Sequence, residues 1–495
     1  MNLNKQRCHA GKEGDTYELF SGDNYPCLYC LMVLIMVIVG RKSSNSLKDY
    51  ALAGGGLPWF VTAGTIVASL IGGGTMIGYV GSYYTVGMEW VWMGLGLASA
   101  ILFIALVTGS RIKNLNLTSV AEIFAVRYGK NARLIACLLI MIGDFAVFCG
   151  MISSLARILS GYVGLSYNVA MILSVVVFVI STSLGGFKGM AYTDVIQSIL
   201  IVVGVAVVGI MAFVKAGGFS GLSTLPENYT NPFATNIPAM TMIGNVLALA
   251  GMNFVSQSAI IQKVNATRSP GDAKRALVVV AICQTLVVSL LISSMGLSAR
   301  VIFGGNIEVA DDVIVKLLGI MPQGIAALYA SAIAAAILTT ANAMLMSSGL
   351  CFANDILGTF KPDLSEKKRV MLTRIFVVFA AVLGYVLVQY SPDIITWMIL
   401  AYTIQNAMII PMYAGLLSKR VSARAGTISL AFSGVSILIW ELVGRPMGIH
   451  SLFVGLAAGL LSILIAGVID KTPLTAEQYA MVDAFRKNKS FTSTQ

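Results

Sequence analysis

Apolar segments long enough to cross a membrane follow one another along almost the whole chain. A helix needs about 20 such residues, because it must span about 30 Å of hydrocarbon. The first two segments lie at 25–40 and 62–87. Eleven more follow, at about 89–110, 132–162, 166–184, 191–214, 238–262, 276–300, 322–353, 370–390, 393–418, 425–444 and 449–469. The pattern predicts an all-α polytopic membrane protein with about 13 transmembrane helices.

Composition agrees with this prediction. Hydrophobic residues make up 57% of the chain and charged residues 11%, and the mean hydropathy is +0.84. The net charge of +11 would suit a nucleic-acid partner, but the placement of the charges explains it better. With the N-terminus outside, 25 of the 33 Lys and Arg residues fall on the inner side, as the positive-inside rule requires. We therefore expect a multi-pass cell-membrane protein with a cytoplasmic C-terminus and no nucleic-acid partner.

The chain shows no sign of an enzyme. Its seven cysteines are scattered, and its two histidines stand far apart without further metal ligands nearby. Nucleophile–base constellations and phosphate-binding loops are not apparent, and no hydrophilic stretch is long enough for a soluble catalytic domain. We expect neither a cofactor nor a catalytic metal.

Three consecutive glycines, Gly72, Gly73 and Gly74, interrupt the charge-free segment 62–87. Each glycine costs a helix interior about 1 kcal/mol relative to alanine. Broken backbone at membrane depth occurs beside protein or a water-filled cavity, and transporters use it to bind ions and solutes. Close packing against a neighbouring helix is the alternative explanation.

A second informative segment, 330–355, is rich in small residues and hydroxyls. Ala336, Thr339 and Thr340 stand at i, i+3 and i+4, so they share one helical face. Two hydroxyls and a nearby carbonyl would offer neutral oxygen ligands to a monovalent cation such as sodium. Hydrogen bonds from the threonines to carbonyls of the preceding turn are the alternative.

Polar residues inside apolar spans supply further candidates. Asp144 lies near the middle of its span, where an ionisable group is costly and is a functional hypothesis by default. It could serve as a coupling-ion ligand, a solute partner or a proton site. Asp194 stands at the inner start of a span, where it could cap a helix or form part of an inner gate. Gln257 and Ser258 should face protein or a cavity.

Four motifs together resemble the sodium:solute symporter family, relatives of the proline, pantothenate, glucose and choline symporters. These motifs are LKDYALAGGGLPWF at 47–60, GGFKGMAYTDVIQ at 185–197, QKVNATRSPGDAKRA at 262–276 and AAAILTTANAMLMSSGLCFANDI at 334–356. The resemblance implies a LeuT-type fold of two inverted five-helix repeats, at 57–216 and 238–418. A polar outer segment (1–24) and a leader helix with an inner loop (25–56) would precede the repeats. An outer loop (217–237) would join them, and two further helices (419–470) and a cytoplasmic tail (471–495) would follow.

The resemblance also implies a sodium site. Backbone carbonyls of Ala68, Ile71 and Ala336 and hydroxyls of Thr339 and Thr340 match the family's ligand positions in type. The chain departs from the family at Leu70. The proline branch carries an aspartate there and the choline branch an aromatic residue, which makes both solutes less favoured.

We therefore expect a secondary active transporter that imports a small organic solute with sodium by alternating access. The solute would contact Gly72, Gly73, Gly74, Phe254, Gln257 and Ser258, with Asp144 nearby and Asp194 on the ion exit path. The helix end after the glycines favours a carboxylate or an amino acid, whereas Asp144 favours an amine, and the sequence leaves both open. Proton coupling through Asp144 and a solute sensor without net transport are the alternatives.

Overall fold

The computed structural model describes residues 55–117, 119–251, 258–361, 363–391 and 393–491. Within these ranges the backbone is almost entirely helical, and the only β pairing is a single bridge between Leu57 and Thr267. The predicted segment 1–24, the predicted leader helix (residues 25–40) and most of the loop after it lie outside the described residues.

The helices of the first predicted repeat are numbered α1 to α6 in chain order. They run as α1 Trp59–Leu70, α2 Gly74–Val86, α3 Met88–Asn114, α4 Val120–Tyr128, α5 Lys130–Val163 and α6 Tyr167–Lys215. The helical backbone of α6 joins two apolar stretches, Tyr167–Ser183 and Ala191–Lys215, which correspond to two predicted spans.

The helices of the second predicted repeat and the C-terminal region continue the series. They run as α7 Ala239–Gly251, α8 Ser258–Asn265, α9 Pro270–Phe303, α10 Val313–Gly319, α11 Gln323–Phe360, α12 Glu366–Val388, α13 Ile394–Leu417, α14 Ala423–Leu442, α15 Ser451–Ile469 and α16 Ala476–Lys487.

Nine of the described helices are long and apolar enough to span a membrane, and the bent pair α1–α2 gives a tenth candidate. Two shorter apolar helices, Tyr167–Ser183 and Ala239–Ala250, match two more predicted spans. The polytopic helical architecture is confirmed, and the count of thirteen stays a prediction.

Local sequence signals set several helix boundaries. Pro58 is extended (φ −69°, ψ 156°) directly before α1, and the Ser269 hydroxyl accepts a hydrogen bond from the Asp272 amide at the start of α9. Pro270 follows that cap at the first helical position, where its missing N–H costs nothing. Thr475 and Gln478 form a reciprocal capping box at the start of α16.

The core places α1 at the centre of the bundle. This helix contacts α6, α9 and α11, while α5 packs against α6, α11 and α13. Ala68, Ile71, Ala336 and Ile337 are completely buried there. The glycine-interrupted segment therefore lies among the helices that carry the other predicted site residues.

Candidate sodium and solute site

The break between α1 and α2 is a sharp bend in one apolar segment. The two helices meet at 54°, and Ile71 at the bend has a non-helical backbone (φ −90°, ψ 65°). Across the break, the Thr75 hydroxyl donates to the Leu70 carbonyl at 3.0 Å. Such a bend frees backbone polar groups that an unbroken helix would pair internally.

The three glycines permit close packing at this break. A Cβ on Gly72 would lie 2.3 Å from Thr340 Oγ1, and one on Gly73 would lie 2.6 Å from the Ser154 side chain. A Cβ on Gly74 would lie 1.7 Å from Met398 Sδ. None of the three adopts a positive φ, so their role here is close approach rather than left-handed backbone. Both explanations of the glycines, a broken helix and small-residue packing, apply to this segment.

The two threonines of α11 face the end of α1. Thr339 Oγ1 lies 2.6 Å from the Ala68 carbonyl oxygen and 2.9 Å from the Ala336 carbonyl oxygen. Thr340 Oγ1 lies 3.0 Å from the Ser69 carbonyl oxygen and 2.9 Å from that of Ala336. Four of the five predicted sodium ligands therefore meet, and Ile71, the fifth, lies at the bend directly after α1.

This oxygen cluster contains more acceptors than protons. Each hydroxyl carries one proton and can donate it to one acceptor. The threonines make four oxygen–oxygen contacts of 2.6–3.0 Å, so each hydroxyl proton must either choose between two carbonyls or be shared between them. Hydrogen bonds from the threonines to the Ala336 carbonyl thus account for only two of the four contacts. The remaining lone pairs create a negative potential that suits a small cation.

A central cavity of about 20 Å³ lies beside the bend. It has room for about one water molecule. No Asp, Glu, Lys or Arg lines it, and its polar side chains are hydroxyls. The lining residues are Ser69, Leu70, Gly72, Gly74, Thr75, Tyr79, Leu97, Val147, Met151, Thr340, Met344, Met398 and Tyr402.

Of the five predicted solute residues that the structure describes, two line this cavity, namely Gly72 and Gly74. Gly73 is buried but instead packs near Ser154 and Ile337. Ser258 is buried at the start of α8 and is not part of the lining.

Asp144 is the remaining predicted solute residue that the structure describes. Asp144 lines a separate cavity on the other side of Met344, a residue shared by both linings. The expectation that Asp144 lies near the solute stays a prediction. Phe254 and Gln257 lie outside the described residues.

Sequence reasoning missed the tyrosines and methionines of the central cavity. Thr75 and Tyr79 stand at i and i+4 on α2, and Met398 and Tyr402 have the same spacing on α13. The α2 pair could have been found, because Gly72, Thr75 and Tyr79 recur at helical spacing along one face. The α13 pair carried no such signal and is brought in only by tertiary packing.

Asp194 belongs to a buried polar cluster beneath the oxygen cluster. Thr65 donates a hydrogen bond to its carboxylate, and Lys263 Nζ lies 3.9 Å from Asp194 Oδ2. Lys263 also donates to the Thr65 carbonyl oxygen at 2.7 Å and to the Ser69 hydroxyl. A small cavity connects these groups with Thr339, since Thr65, Asp194, Lys263 and Thr339 all line it. Thr340 instead faces the central cavity.

One further cluster has metal-ligand residue types. Cys137, Cys351 and Asp355 place their ligand atoms within 4.8 Å of one another, which sequence spacing did not suggest. Arg133 already pairs with Asp355 at 2.6 Å. The carboxylate is therefore engaged in an ion pair between α5 and α11.

Comparison with solved structures defines the fold. The chain is similar to a Na⁺-coupled sialic acid symporter, with a TM-score of 0.77, 21% identity and coverage of 92% of this chain and 99% of that one. It is also similar to Mhp1, a nucleobase-cation-symport-1 family transporter, with a TM-score of 0.56, 15% identity and coverage of 89% and 98%. The fold is the LeuT-type fold of secondary transporters.

The family follows from sequence comparison. The profile of the sodium:solute symporter family matches residues 50–433, and the chain belongs to this family. It is 24% identical to the osmoregulated proline transporter OpuE of Bacillus subtilis, over 91% of this chain and 95% of that protein. It is 23% identical to the sodium/pantothenate symporter of Haemophilus influenzae, over 90% and 95%. The function is sodium-coupled secondary transport of a small solute.

Proposed function

We propose that this protein imports a small organic carboxylate or amino acid together with sodium bound between α1 and α11. The carbonyls of Ala68, Ile71 and Ala336 and the hydroxyls of Thr339 and Thr340 would hold the ion. Bound sodium would bridge the two repeats and stabilise the outward-open arrangement. Sodium and solute together would then favour occlusion, so coupling arises from different affinities in different states.

The observation that carries this proposal is the shortage of protons among the threonine oxygens. Four oxygen–oxygen contacts of 2.6–3.0 Å share two hydroxyl protons. A monovalent cation would interact favourably with the lone pairs that remain. The ligands are neutral, so the ion can also leave, as conduction and transport require.

The residues that line the central cavity suit a carboxylate-bearing solute, and the cavity must widen to admit one. It lies beside the start of α2, where the helix dipole is positive and favours an anionic group. Asp144, the residue that favoured an amine, does not line this cavity. Tyr79, Tyr402 and Thr75 would supply hydroxyl hydrogen bonds, while Leu70 and Met398 would contact the apolar part of the solute.

The small cavity around Asp194 supports a route for sodium release. Thr339 belongs to the oxygen cluster and also lines this cavity. An ion that leaves the two threonines would therefore next meet Asp194 and Lys263. In the predicted orientation, with the C-terminus inside, this route leads towards the cytoplasm. We propose that the protein resides in the cell membrane in that orientation.

A solute panel of amino acids and carboxylates tests the proposal, with proline, pantothenate and sialic acid included. Binding is measured on the purified full chain by thermal shift in sodium and in potassium, and uptake is measured in proteoliposomes. A solute that stabilises the protein only in sodium, and is accumulated along a sodium gradient, supports symport. Equal effects in both salts with strong pH dependence would favour proton coupling instead. Sodium-dependent binding without uptake would favour a sensor.

Matched variants then locate the ion. Thr339→Ala and Thr340→Ala each remove one hydroxyl and should raise the half-saturating sodium concentration at least about tenfold, the scale of one lost hydrogen-bonding partner to a charge. Thr339→Ser and Thr340→Ser keep the hydroxyl and should retain most of the affinity. Thr403→Ala is the control, because Thr403 is buried but its hydroxyl bonds only to the Ile399 carbonyl of the preceding turn. A sodium response unchanged in both alanine variants would place the ion elsewhere.

A further inference from the structure

A second and larger cavity lies between α5, α11 and α12. Its volume is about 210 Å³, ten times that of the central cavity. Its walls are overwhelmingly apolar and include four phenylalanines. The lining residues are Leu138, Met141, Ile142, Asp144, Phe145, Phe148, Met344, Leu345, Ser348, Phe376, Phe379, Ala380 and Leu383. We call this space the lateral cavity.

The lateral cavity opens towards the side of the bundle. Leu138 and Phe379 at its edge are 52% and 61% exposed, and Leu383 is 38% exposed. These residues belong to the apolar spans α5 and α12, so their exposed faces contact lipid rather than water. A ligand would therefore reach this cavity from within the bilayer.

The inner wall of the lateral cavity carries a carboxylate that is only half satisfied. Asp144 is fully buried, and its Oδ1 accepts a hydrogen bond from Gln405 Nε2 at 2.8 Å. Its Oδ2 has no hydrogen-bond partner among the described residues. The Ser347 side chain also faces this carboxylate, but neither oxygen satisfies hydrogen-bond geometry with the other.

Within the described chain, Asp144 has no ion-pair partner. No Lys, Arg or His nitrogen of the described chain lies within 4.0 Å of it. Ser348 also lines the cavity, is 2% exposed and has a hydroxyl without a hydrogen-bond partner. The Asp144 carboxylate and the Ser348 hydroxyl are both acceptors in an otherwise apolar space. Together they are complementary to a positively charged N–H donor.

The chemistry of the walls selects among cations. The lateral cavity offers only the carboxylate of Asp144 and the hydroxyl of Ser348 as side-chain oxygens, too few to replace the hydration shell of a bare inorganic ion. Its aromatic rings instead attract an organic cation through cation–π interaction, worth about 2 kcal/mol when desolvated. The hydrocarbon body of such a cation would fill the apolar space.

We propose that the lateral cavity is a binding site for a small aromatic or aliphatic primary ammonium ion that enters from the bilayer. Its ammonium group would donate to Asp144 Oδ2 and Ser348 Oγ, and its apolar body would lie among Phe145, Phe148 and Phe376. The site is distinct from the central cavity, from which Met344 separates it. It is also independent of the sodium site of the proposed function.

The probe is 3-phenylpropylammonium, and its neutral analogue is 3-phenylpropan-1-ol. Saturable binding to the purified full chain is measured with the radiolabelled amine by scintillation proximity. Asp144→Asn removes the charge with little change of shape and should weaken amine binding at least about tenfold, as expected for loss of one partner of a buried charge pair. The alcohol should compete at least about tenfold more weakly than the amine.

A second variant tests the location without touching the carboxylate. Leu383→Trp narrows the lipid-facing mouth and should abolish saturable amine binding. Leu461→Trp is the matched control, because Leu461 is 59% exposed on α15 and lies away from the cavity. This variant should bind the amine as the unmodified protein does. Thr339→Ala should also keep amine binding, which separates this site from the sodium site.

Three outcomes would overturn the proposal. Equal affinity of the amine for the unmodified protein and Asp144→Asn would show that the carboxylate is not the partner. If the alcohol competes as strongly as the amine, the positive charge does not contribute and the cavity is only an apolar space. Undiminished binding to Leu383→Trp, with thermal stability intact, would place the amine elsewhere.

Discussion

Asp144 and Asp194 are both buried carboxylates within apolar spans, but their surroundings differ completely. Asp194 is surrounded by a hydroxyl and the ammonium group of Lys263, which is itself tied to α1. Asp144 lines an apolar cavity and has one amide partner, Gln405, while its second oxygen has no hydrogen-bond partner among the described residues. The comparison teaches that burial alone does not define a role. A paired carboxylate can hold helices together or gate an ion, whereas a half-satisfied one is available to a ligand.

The largest expected effect comes from breaking the pair at Asp194. Lys263→Met would leave an unpaired buried carboxylate, and we expect a loss of about 3–5 kcal/mol of stability. Thermal unfolding of the detergent-purified protein measures this as a large decrease in Tm. Asp194→Asn in the Lys263→Met background should recover much of the loss, because it removes the uncompensated charge. If Lys263→Met alone is as stable as the unmodified protein, the ion pair does not contribute to the stability of the fold.

The next effect concerns the neutral oxygen cluster above Asp194. Gly72→Ala would place a Cβ 2.3 Å from Thr340 Oγ1 and force α1 and α11 apart. We expect the half-saturating sodium concentration to rise at least about tenfold, because the displaced threonines would coordinate the ion less well; a tenfold change corresponds to about 1.4 kcal/mol. The sodium dependence of thermal stability provides the measurement.

Gly324→Ala is the matched control for that experiment. Gly324 also lies in a helix, but nothing stands within 4 Å of a Cβ built there. This variant should keep the sodium response of the unmodified protein. If the two glycine variants respond alike, close approach at the break is not what positions the threonines.

A third carboxylate, Asp311, extends the comparison to a loop outside the spans. Its Oδ2 lies 3.3 Å from Arg157 Nε. Burial is the main influence and, despite Arg157, raises the pKa of Asp311 to about 6 from an ordinary value of 3.8. The folded protein therefore holds this proton more tightly than the unfolded chain does. The contribution to stability is present below pH 4 and is lost as the pH rises towards 6.

The measurement is Tm as a function of pH. Stability should fall by up to about 1.4 kcal/mol per pH unit between pH 4 and 6 from this one group. Asp311→Asn cannot titrate and should flatten that part of the profile. Parallel profiles for the unmodified protein and Asp311→Asn would assign the pH dependence to other groups.

The smallest effect is expected for Asp144 itself. Asp144→Asn keeps an oxygen acceptor for Gln405 and removes a charge that no described cation compensates. We expect Tm to stay unchanged or rise slightly, within about 1 kcal/mol, because no ion pair is broken. A decrease as large as that of Lys263→Met would show that Asp144 is paired in the membrane after all.

Helical spacing accounts for one group of neighbouring residues and not for another. Thr339, Thr340 and Ala336 share a face, and their oxygens do meet the end of α1. Spacing would also place Asp144 with Val147, one turn away on α5. The two nevertheless line different cavities, because Met344 of α11 stands between those cavities. Which cavity a residue joins depends on the neighbouring helix, and sequence spacing does not contain that information.

The sequence by itself determined the membrane architecture, the position of the interrupted helix and the hydroxyl face opposite it. These follow from local physics, namely the length of apolar runs, the helical cost of glycine and the 3.6-residue period. Tertiary structure decided that Lys263 pairs with Asp194, that Tyr402 and Met398 line the central cavity, and that Asp144 does not. Lys263 is far from Asp194 in the chain, and Gln405 is far from Asp144, while the central cavity is lined by residues of several helices. These contacts therefore depend on how the helices rotate and pack.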